Sequence, residues 1–551
     1  MTPEQWVFAG ATAALALAFA GGVPFPDRRT LTHPAILATG ALFLVSLFAR
    51  AMFVQPTLVH ADVAAPELVD CVLQFPLPCT SRGASYGQYG FWTVGALSHL
   101  LGRDLTAVFR VMAIVGALNV ALLAVLAYRL SGSPYGALIA VAITGTHPIF
   151  MRVAASEEMH NVGLLLGLLA FIAMDVFAVT RRTLALVAAV LALGLMMNTR
   201  QTFHVFVPCV FLLGLARGGR GLLRSRAYWA AGVIVLAVLL SRVLGNSSGS
   251  LADKMMGILG EPALVPTILR HHPLFDFSRF GLLPLLTMAA IGWACVAGGI
   301  ARAVAVVFAA NFIVTYPCGM SSPGVEFAQR IGVHAIGMVL VALAGAAILE
   351  TLVAKPRRTA VGIATAIALA AMPPFLPGWR SLNVLTPIHR EYLAVQAAAA
   401  ELPGEFTQVV LPTSDSGSYG GSRYAGLLAR MGKRVEAVLS EDLLGKPRPW
   451  IFLENIECWT YSFHELTGVG PEASKHHRFA HRWDYVIFGR QPSPLRPPAE
   501  ARIQCRPFLR HSRPIGPGHV IADPADDPPF LFYGTNAVPI RFHELHEQIA
   551  Q

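Results

Sequence analysis

Long apolar runs dominate the first two thirds of the chain and stop near residue 374, after which polar and apolar positions mix. Each run holds roughly 15 to 23 residues, the length that an α-helix needs to cross the hydrocarbon core of a bilayer. The pattern predicts about twelve spans, within a range of about 11 to 13. They lie near residues 5–21, 34–54, 107–130, 135–150, 161–179, 183–198, 203–216, 228–243, 281–300, 303–316, 333–351 and 359–374.

Composition agrees with a membrane protein. Of 551 residues, 54% are hydrophobic and only 13% are charged, which is more apolar than one or two soluble cores require. The predicted fold class is therefore a polytopic α-helical membrane protein. The net charge of +10 requires no nucleic acid partner, because basic loops facing anionic lipid headgroups account for it.

Basic residues predict the orientation, since short basic loops stay on the cytoplasmic side of the membrane. The residues that mark alternate loops are Arg28, Arg29, Arg129, Arg181, Arg182, Arg217, Arg220, Arg224, Arg226, Arg302, Lys355, Arg357 and Arg358. The opposite, extracytoplasmic face then holds the N-terminus, the loop at 55–106, the connections at 151–160 and 199–202, and everything after residue 375. The first apolar run has neither a basic n-region nor a small-residue cleavage site, so it is predicted to be a retained span.

A second domain is predicted where the apolar runs give way to Pro373-Pro374-Phe375-Leu376-Pro377-Gly378. Residues 1–375 form the predicted transmembrane domain, and residues 376–551 are long enough for a soluble domain. Strand patterns there alternate with helical patterns, which predicts a small α/β layer on the extracytoplasmic side. The predicted strands lie at 408–411, 435–439, 450–453 and 485–488, and the predicted helices at 389–402 and 422–432.

Cysteine positions agree with this topology. Cys71 and Cys79 lie in the first large outer loop, and Cys458 and Cys505 lie in the C-terminal region. Each pair could form a disulfide in an oxidising periplasm, although spacing alone does not fix the pairing. Neither CxxC nor Cys/His metal spacing is present, so structural zinc is not expected.

The first candidate site is an acidic stretch directly after the second predicted span. Asp62, Glu67 and Asp70 fall within nine positions of a chain in which carboxylates are scarce. Such acids could serve as catalytic residues. A solvated loop competes with this interpretation, more strongly at Glu67 and Asp70 than at Asp62.

The second candidate is Ser156-Glu157-Glu158-Met159-His160, at the predicted outer end of the fourth span. Two adjacent carboxylates with a histidine could bind a divalent cation or help to position an acceptor hydroxyl. A hydrophilic turn is the alternative. Carboxylates beside a membrane are costly unless they are solvated or paired, which favours a functional site.

Two arginines are candidates for binding a lipid-linked phosphate. Arg200 lies in a short outer connection, against the positive-inside bias, and a guanidinium binds phosphate bidentately. An interfacial arginine reaching to headgroups is the alternative. Arg330, near Glu326 and His334 at the start of the eleventh span, could complete a phosphate or sugar pocket.

A family resemblance links these features. An outer loop opens with Asp62, and the motifs that follow are Ala107-Val108-Phe109-Arg110-Val111-Met112, Tyr128-Arg129-Leu130-Ser131-Gly132 and Ser156-Glu157-Glu158. This pattern resembles the GT-C superfamily of membrane glycosyltransferases, which includes protein O-mannosyltransferases and the lipid A aminoarabinose transferases. The resemblance covers residues 34 to 375 and is one of architecture and loose motif.

The resemblance implies transfer of a sugar from a polyprenyl-phosphate donor to a glycan, lipid or protein acceptor, at the outer face of a bacterial-type inner membrane. It implies that Asp62 is the general base, with Glu157, Glu158 and Arg200 as the nearest matches to the acidic and phosphate-binding residues. Inversion at the anomeric carbon follows from a single displacement. This chain has an additional apolar span ahead of the loop and lacks a second acid beside Asp62, so the base stays open among Asp62, Glu67 and Asp70.

The competing class is a transporter or flippase of a polyprenyl-linked lipid, whose path needs polar groups near the bilayer midplane. The predicted spans hold few such residues, and the acids cluster at one face. This asymmetry favours an enzyme. A receptor or assembly scaffold built around the C-terminal domain is a third possibility.

Overall fold

A computed structural model of the chain is mostly helical. It describes residues 2–24, 27–59, 64–77, 87–245, 282–315 and 331–375. Beyond these it describes 379, 381–383, 385, 389, 392–393, 396, 408–413, 425–432, 434–439, 451–452, 512–515, 518–523 and 526–532.

The chain divides into two compact units. The first comprises Met1–Val59 and Cys71–Val384, and the second comprises His60–Asp70 and Leu385–Gln551. The acidic stretch is thus grouped with the C-terminal region. The boundary at residue 375 and the extracytoplasmic position of 376–551 remain predictions.

Helices lie at all of the predicted spans, and the span predicted at 135–150 is divided between two of them. In chain order the helices are α1 (Pro3–Gly22), α2 (Arg28–Leu31), α3 (Pro34–Phe53), α4 (Ala64–Leu73), α5 (Gln88–Leu101), α6 (Leu105–Ser131), α7 (Pro134–Gly145), α8 (Pro148–Ala154), α9 (His160–Thr180), α10 (Thr183–Met197), α11 (Phe206–Gly218), α12 (Arg220–Leu223), α13 (Arg226–Gly245), α14 (Leu283–Ala297), α15 (Gly299–Thr315), α16 (Ile331–Leu352) and α17 (Lys355–Ala371). A 3₁₀ turn at Gln201–Val205 precedes α11.

Within the described residues, 6 helices are long and apolar enough to cross a bilayer by length and composition. They are α1, α3, α6, α9, the segment Gln201–Gly218 that contains α11, and α16. If α7 and α8 are counted together as one broken span, the described residues hold up to 7 candidate spans. The helices α10, α14 and α15 are apolar but shorter. The predicted polytopic α-helical membrane fold is confirmed.

The break between α7 and α8 has a local cause. The two helices meet at a bend of 68°, where Pro148 occupies the first turn of α8 and His147 precedes it. Proline has no N–H to continue the helix before it. His147 Nδ1 instead accepts a hydrogen bond from the Ile149 N–H at 3.2 Å and caps the new helix.

Contacts at both ends show that α6 and α9 run in the same direction. In the first turn of α9, Asn161 accepts from Asn119 Nδ2, at the middle of α6, at 2.7 Å and donates to the Met112 carbonyl, one to two turns closer to the start of α6, at 2.9 Å. Near their C-terminal ends, Arg129 Nε lies 2.7 Å from Asp175 Oδ2. We call the N-terminal ends of α6 and α9 outer, because the loop charges predict that these ends are extracytoplasmic.

Glycines let the connection after α10 pack closely on α9. A Cβ at Gly163 would lie 2.6 Å from the Phe203 ring, and one at Gly167 would lie 2.5 Å from the Phe206 ring. Phe206 and Phe171 are fully buried there. This packing places the residues just after α10 against the first turns of α9.

The second unit contains two small sheets. β1 (Gln408–Thr413) pairs in parallel with β2 (Arg434–Leu439) and β3 (Ile451–Phe452), with α18 (Ala425–Arg430) between β1 and β2. β4 (Ser512–Ile515), β5 (Gly518–Asp523) and β6 (Asp526–Phe532) form an antiparallel sheet. β1, β2 and β3 coincide with three predicted strands, and the predicted strand at 485–488 lies outside the described residues.

Candidate functional site

Four of the predicted site residues meet at the outer end of α9. Glu158, directly before the helix, is completely buried. Its Oε1 atom lies 2.7 Å from Arg200 Nη2 and 2.5 Å from His160 Nδ1. We call Glu157, Glu158, His160 and Arg200 the outer cluster.

Two chain reversals bring the outer cluster together. In the first, between α8 and α9, Ser156 Oγ donates to the Val153 carbonyl at 2.9 Å and accepts from the Glu158 N–H at 3.4 Å. This hydroxyl stabilises the turn that presents both glutamates. In the second, α10 ends at Met197 and Arg200 adopts an extended backbone, with φ −155°.

Glu157 binds a different part of the chain from Glu158. Its Oε1 and Oε2 atoms both accept from the Val59 N–H, at 3.1 and 3.0 Å. The Thr57 N–H donates to the Ala155 carbonyl at 2.9 Å, so residues 57–59 lie alongside the end of α8. Glu157 therefore holds the backbone that leads, three residues later in the sequence, to Asp62.

Two asparagines hold α6 against α9 next to the outer cluster. Asn119 Nδ2 donates to the carbonyl and side-chain oxygens of Asn161, at 2.8 and 2.7 Å, and Asn161 Nδ2 donates to the Met112 carbonyl at 2.9 Å. Both side chains are buried. Sequence reasoning missed this pair, although a lone asparagine within an apolar run is a signal that could have found it.

Arg50 is a second residue that sequence reasoning missed. It lies in the last turn of α3, and only 6% of the residue is exposed. Nη1 makes a long hydrogen bond of 3.4 Å to the Ala113 carbonyl, while Nε and Nη2 have no hydrogen-bond partner in the described part of the chain. Gly116 gives it room, since a Cβ there would lie 3.0 Å from Nη1. Its position inside a predicted span is the feature of the sequence that could have identified Arg50.

The other predicted site residues lie elsewhere in the chain. Asp62 and Arg330 lie outside the described residues. Glu67 lies on α4. Asp70, also on α4, is buried in the second unit and forms an ion pair with Arg430.

The structure also bears on the predicted metal and disulfide sites. Among the residues it describes, no group of three or more His, Cys, Asp or Glu side chains is arranged to hold a metal ion, and Arg200 and His160 engage the Glu158 carboxylate. Cys71 is disulfide-bonded. Its predicted partner Cys79, and the pair Cys458 and Cys505, lie outside the described residues.

A second buried carboxylate lies at the other end of α9. Asp175 Oδ2 lies 2.7 Å from Arg129 Nε, and its Oδ1 lies 3.0 Å from Arg217 Nε. We call these three residues the inner cluster. The sequence marks both arginines only as residues of cytoplasmic loops and does not indicate their common partner.

Part of the chain matches the model of a known protein family. The model of the dolichyl-phosphate-mannose-protein mannosyltransferase family matches residues 88–244, which include the outer cluster, both asparagines and the inner cluster. No curated protein matches the chain.

Three solved structures are similar to the chain. The Archaeoglobus fulgidus oligosaccharyltransferase has 12% identity and a TM-score of 0.44, over 73% of this chain and 62% of that one, so the chain spans less than two thirds of its length. ArnT from Cupriavidus metallidurans has 15% identity and a TM-score of 0.47 in the apo state. Bound to undecaprenyl phosphate, it has 16% identity and a TM-score of 0.44. Each ArnT match covers 76% of this chain and 92% of that chain.

The family match falls within the region for which the sequence predicted a GT-C resemblance. The predicted resemblance to GT-C glycosyltransferases is confirmed for this segment, residues 88–244 of the 551-residue chain.

Proposed function

We propose that the chain is an inverting glycosyltransferase that moves a sugar from a polyprenyl-phosphate donor to a glycan, lipid or protein acceptor at the outer face of the membrane. The observation that carries the proposal is the buried outer cluster, which lies inside the region that matches the mannosyltransferase family. The name of that family specifies a donor in which a sugar is linked to a polyprenyl phosphate. A lipid donor of this kind fits a helical membrane domain.

In the proposed reaction the acceptor hydroxyl attacks the anomeric carbon, and the bond from that carbon to the phosphate oxygen breaks. Asp62 takes the hydroxyl proton as general base, and the electron pair leaves with the lipid phosphate. Glu67 is the remaining alternative for the base, and Asp70 is the least favoured because it is ion-paired with Arg430.

Two described arginines are candidates for stabilising the departing phosphate. Arg200 contacts Glu158 through Nη2, and a guanidinium has five N–H donors to share. Arg50 is buried without a carboxylate partner in the described residues, and burying an unpaired charge is costly. A bound phosphate would neutralise the charge of the Arg50 guanidinium. Arg330 remains a third candidate from the sequence.

The two glutamates of the outer cluster are proposed to position other groups. Glu157 holds the Val59 backbone, and Glu158 orients Arg200 and His160. These contacts place the cations and the chain that leads to Asp62.

We further propose that the protein resides in a bacterial-type inner membrane and that its C-terminal domain is periplasmic. The loop charges support this orientation.

A flippase is the competing function. It needs polar groups that line a path through the bilayer. The buried asparagines of α6 and α9 instead bond to each other, as interhelical polar residues do when they hold helices together. This pairing favours the enzyme.

The test uses the full chain in lipid nanodiscs, a panel of undecaprenyl-phosphate-linked pentoses and hexoses, and a membrane extract as acceptor. Release of undecaprenyl phosphate is measured by mass spectrometry. We expect release by the unmodified chain and none by Asp62→Asn. Asp27→Asn is the matched control, because Asp27 is an exposed cap that accepts from the Thr30 N–H at 2.8 Å.

Full release by Asp62→Asn would remove Asp62 from the mechanism. An unmodified chain that leaves every donor intact but moves labelled lipid between the leaflets of vesicles would replace the transferase with a flippase.

A further inference from the structure

The buried acid of the acidic stretch has its partner far along the chain. Asp70 lies on α4 and pairs with Arg430, the last residue of α18, although the two are 360 positions apart in the sequence. Arg430 Nη2 also donates to the Tyr392 hydroxyl at 3.4 Å. All three residues belong to the second unit.

The ion pair between Asp70 and Arg430 is buried on the Asp70 side. The Asp70 side chain is 8% exposed and that of Arg430 is 29% exposed. Leu68 and Val69, the neighbours of Asp70 on α4, are also buried. Removing Arg430 would leave the buried Asp70 carboxylate poorly solvated, so the pair resists separation.

The position of Arg430 is set by the helix that it ends and by the turn that follows. It ends α18, and Gly432, with φ +76°, starts the turn into β2. A left-handed residue after a helix is a common helix stop. A cation in the last turn also interacts favourably with the helix dipole. The parallel strands around α18 therefore hold the guanidinium at a defined point.

Described contacts thus flank the candidate base Asp62 in the sequence. Val59 is bound by Glu157 before it, and Asp70 is bound by Arg430 at its end. The candidate base Asp62 lies between these two anchors in the chain.

We propose that Arg430 is a positioning residue of the transferase. It fixes α4 through Asp70, and α4 continues the stretch that carries the base. Asp70 is then an anchor and not the base, and the C-terminal region takes part in transfer. This inference rests on the proposed function, because it assumes that the base lies in the acidic stretch.

A charge-swap experiment tests the inference in the full chain in nanodiscs. The variants are Asp70→Asn, Arg430→Gln, and the double exchange of Asp70→Arg with Arg430→Asp. Release of undecaprenyl phosphate gives kcat and KM, and hydrogen exchange reports on residues 64–73. Arg224→Gln is the control, since Arg224 is an exposed arginine of an inner loop.

We expect each single variant to lower kcat by about tenfold, which corresponds to a coupling of about 1.4 kcal/mol. KM should change by less than about twofold, because the pair acts on the base and not on the donor. Hydrogen exchange at 64–73 should accelerate in both single variants. The double exchange should restore both kcat and protection, since the pair re-forms with its charges reversed.

Two results would overturn the inference. If Asp70→Asn and the double exchange are equally inactive while Arg430→Gln stays active, Asp70 is itself catalytic. If exchange at 64–73 is unchanged in every variant, Arg430 does not fix α4. Hydrogen exchange needs no donor, so it tests the anchor even if the unmodified chain transfers none of the sugars and the proposed function fails.

Discussion

The two ends of α9 each bury a carboxylate against arginine, and they do so in different ways. At the inner end, Asp175 stands alone and each of its oxygens faces a separate arginine, with side chains 19% and 33% exposed. At the outer end, Glu158, His160 and Arg200 are all at most 3% exposed, and Glu157 lies beside them.

This difference separates a structural cluster from a candidate site. The inner arginines can reach toward water and anionic headgroups while they neutralise Asp175, an arrangement that anchors helix ends. The outer cluster buries two acids, a histidine and an arginine together. Buried charge of this density is expensive and contributes little to stability. Its position at the predicted outer face is more easily explained by function.

The largest expected effect is at Glu158. Glu158→Gln removes the charge that orients Arg200 and His160, and we expect transfer per folded molecule to fall by about 10²-fold or more. Release of undecaprenyl phosphate in nanodiscs measures it. Near-normal release would contradict the proposal that only the outer end of α9 serves transfer. Gel filtration shows whether the variant is folded.

The two candidate phosphate-binding arginines should have intermediate effects. Arg50→Lys and Arg200→Lys keep the charge but lose the bidentate geometry, so undecaprenyl phosphate should bind about tenfold more weakly. Native mass spectrometry of the full chain measures the binding. Arg129→Lys at the inner cluster is the matched control, and equal weakening in all three variants would contradict the assignment.

A smaller effect is expected at Asn119. Asn119→Leu removes two hydrogen bonds to Asn161, each worth about 0.6 kcal/mol or somewhat more between membrane helices. Transfer should fall by about threefold to tenfold, because the start of α9 loses a support. A variant with unchanged kcat would show that the outer cluster does not depend on this pair.

The smallest effect on transfer is expected at the inner cluster. Asp175→Asn leaves two partly exposed arginines without the buried carboxylate that they share, and we expect the loss of these charged contacts to destabilise the fold by about 2 kcal/mol. Transfer per folded molecule should stay within about twofold, since the site lies at the other end of α9. Thermal unfolding in nanodiscs and activity per folded molecule measure the two quantities separately. A large loss of transfer without a loss of stability would contradict the structural role.

Several features of the fold were predictable because they follow from short sequence windows. The length of each apolar run predicted the helices, and Pro134 and Gly132 lie at the helix boundaries as expected for these residues. Sequence also identified Glu158 and Arg200 as candidates. The partner of Asp70 could not be predicted, because nothing near Asp70 indicates Arg430.

The sequence alone determined the membrane class, the helices and their predicted orientation, since a bilayer imposes a fixed length and loops carry their charges locally. Only the tertiary structure decided the pairings: Glu158 with Arg200, Glu157 with the Val59 backbone, Asn119 with Asn161, and Asp70 with Arg430. Each pairing depends on which helix faces meet, and side-chain packing sets those faces over distances in the chain that no local pattern encodes.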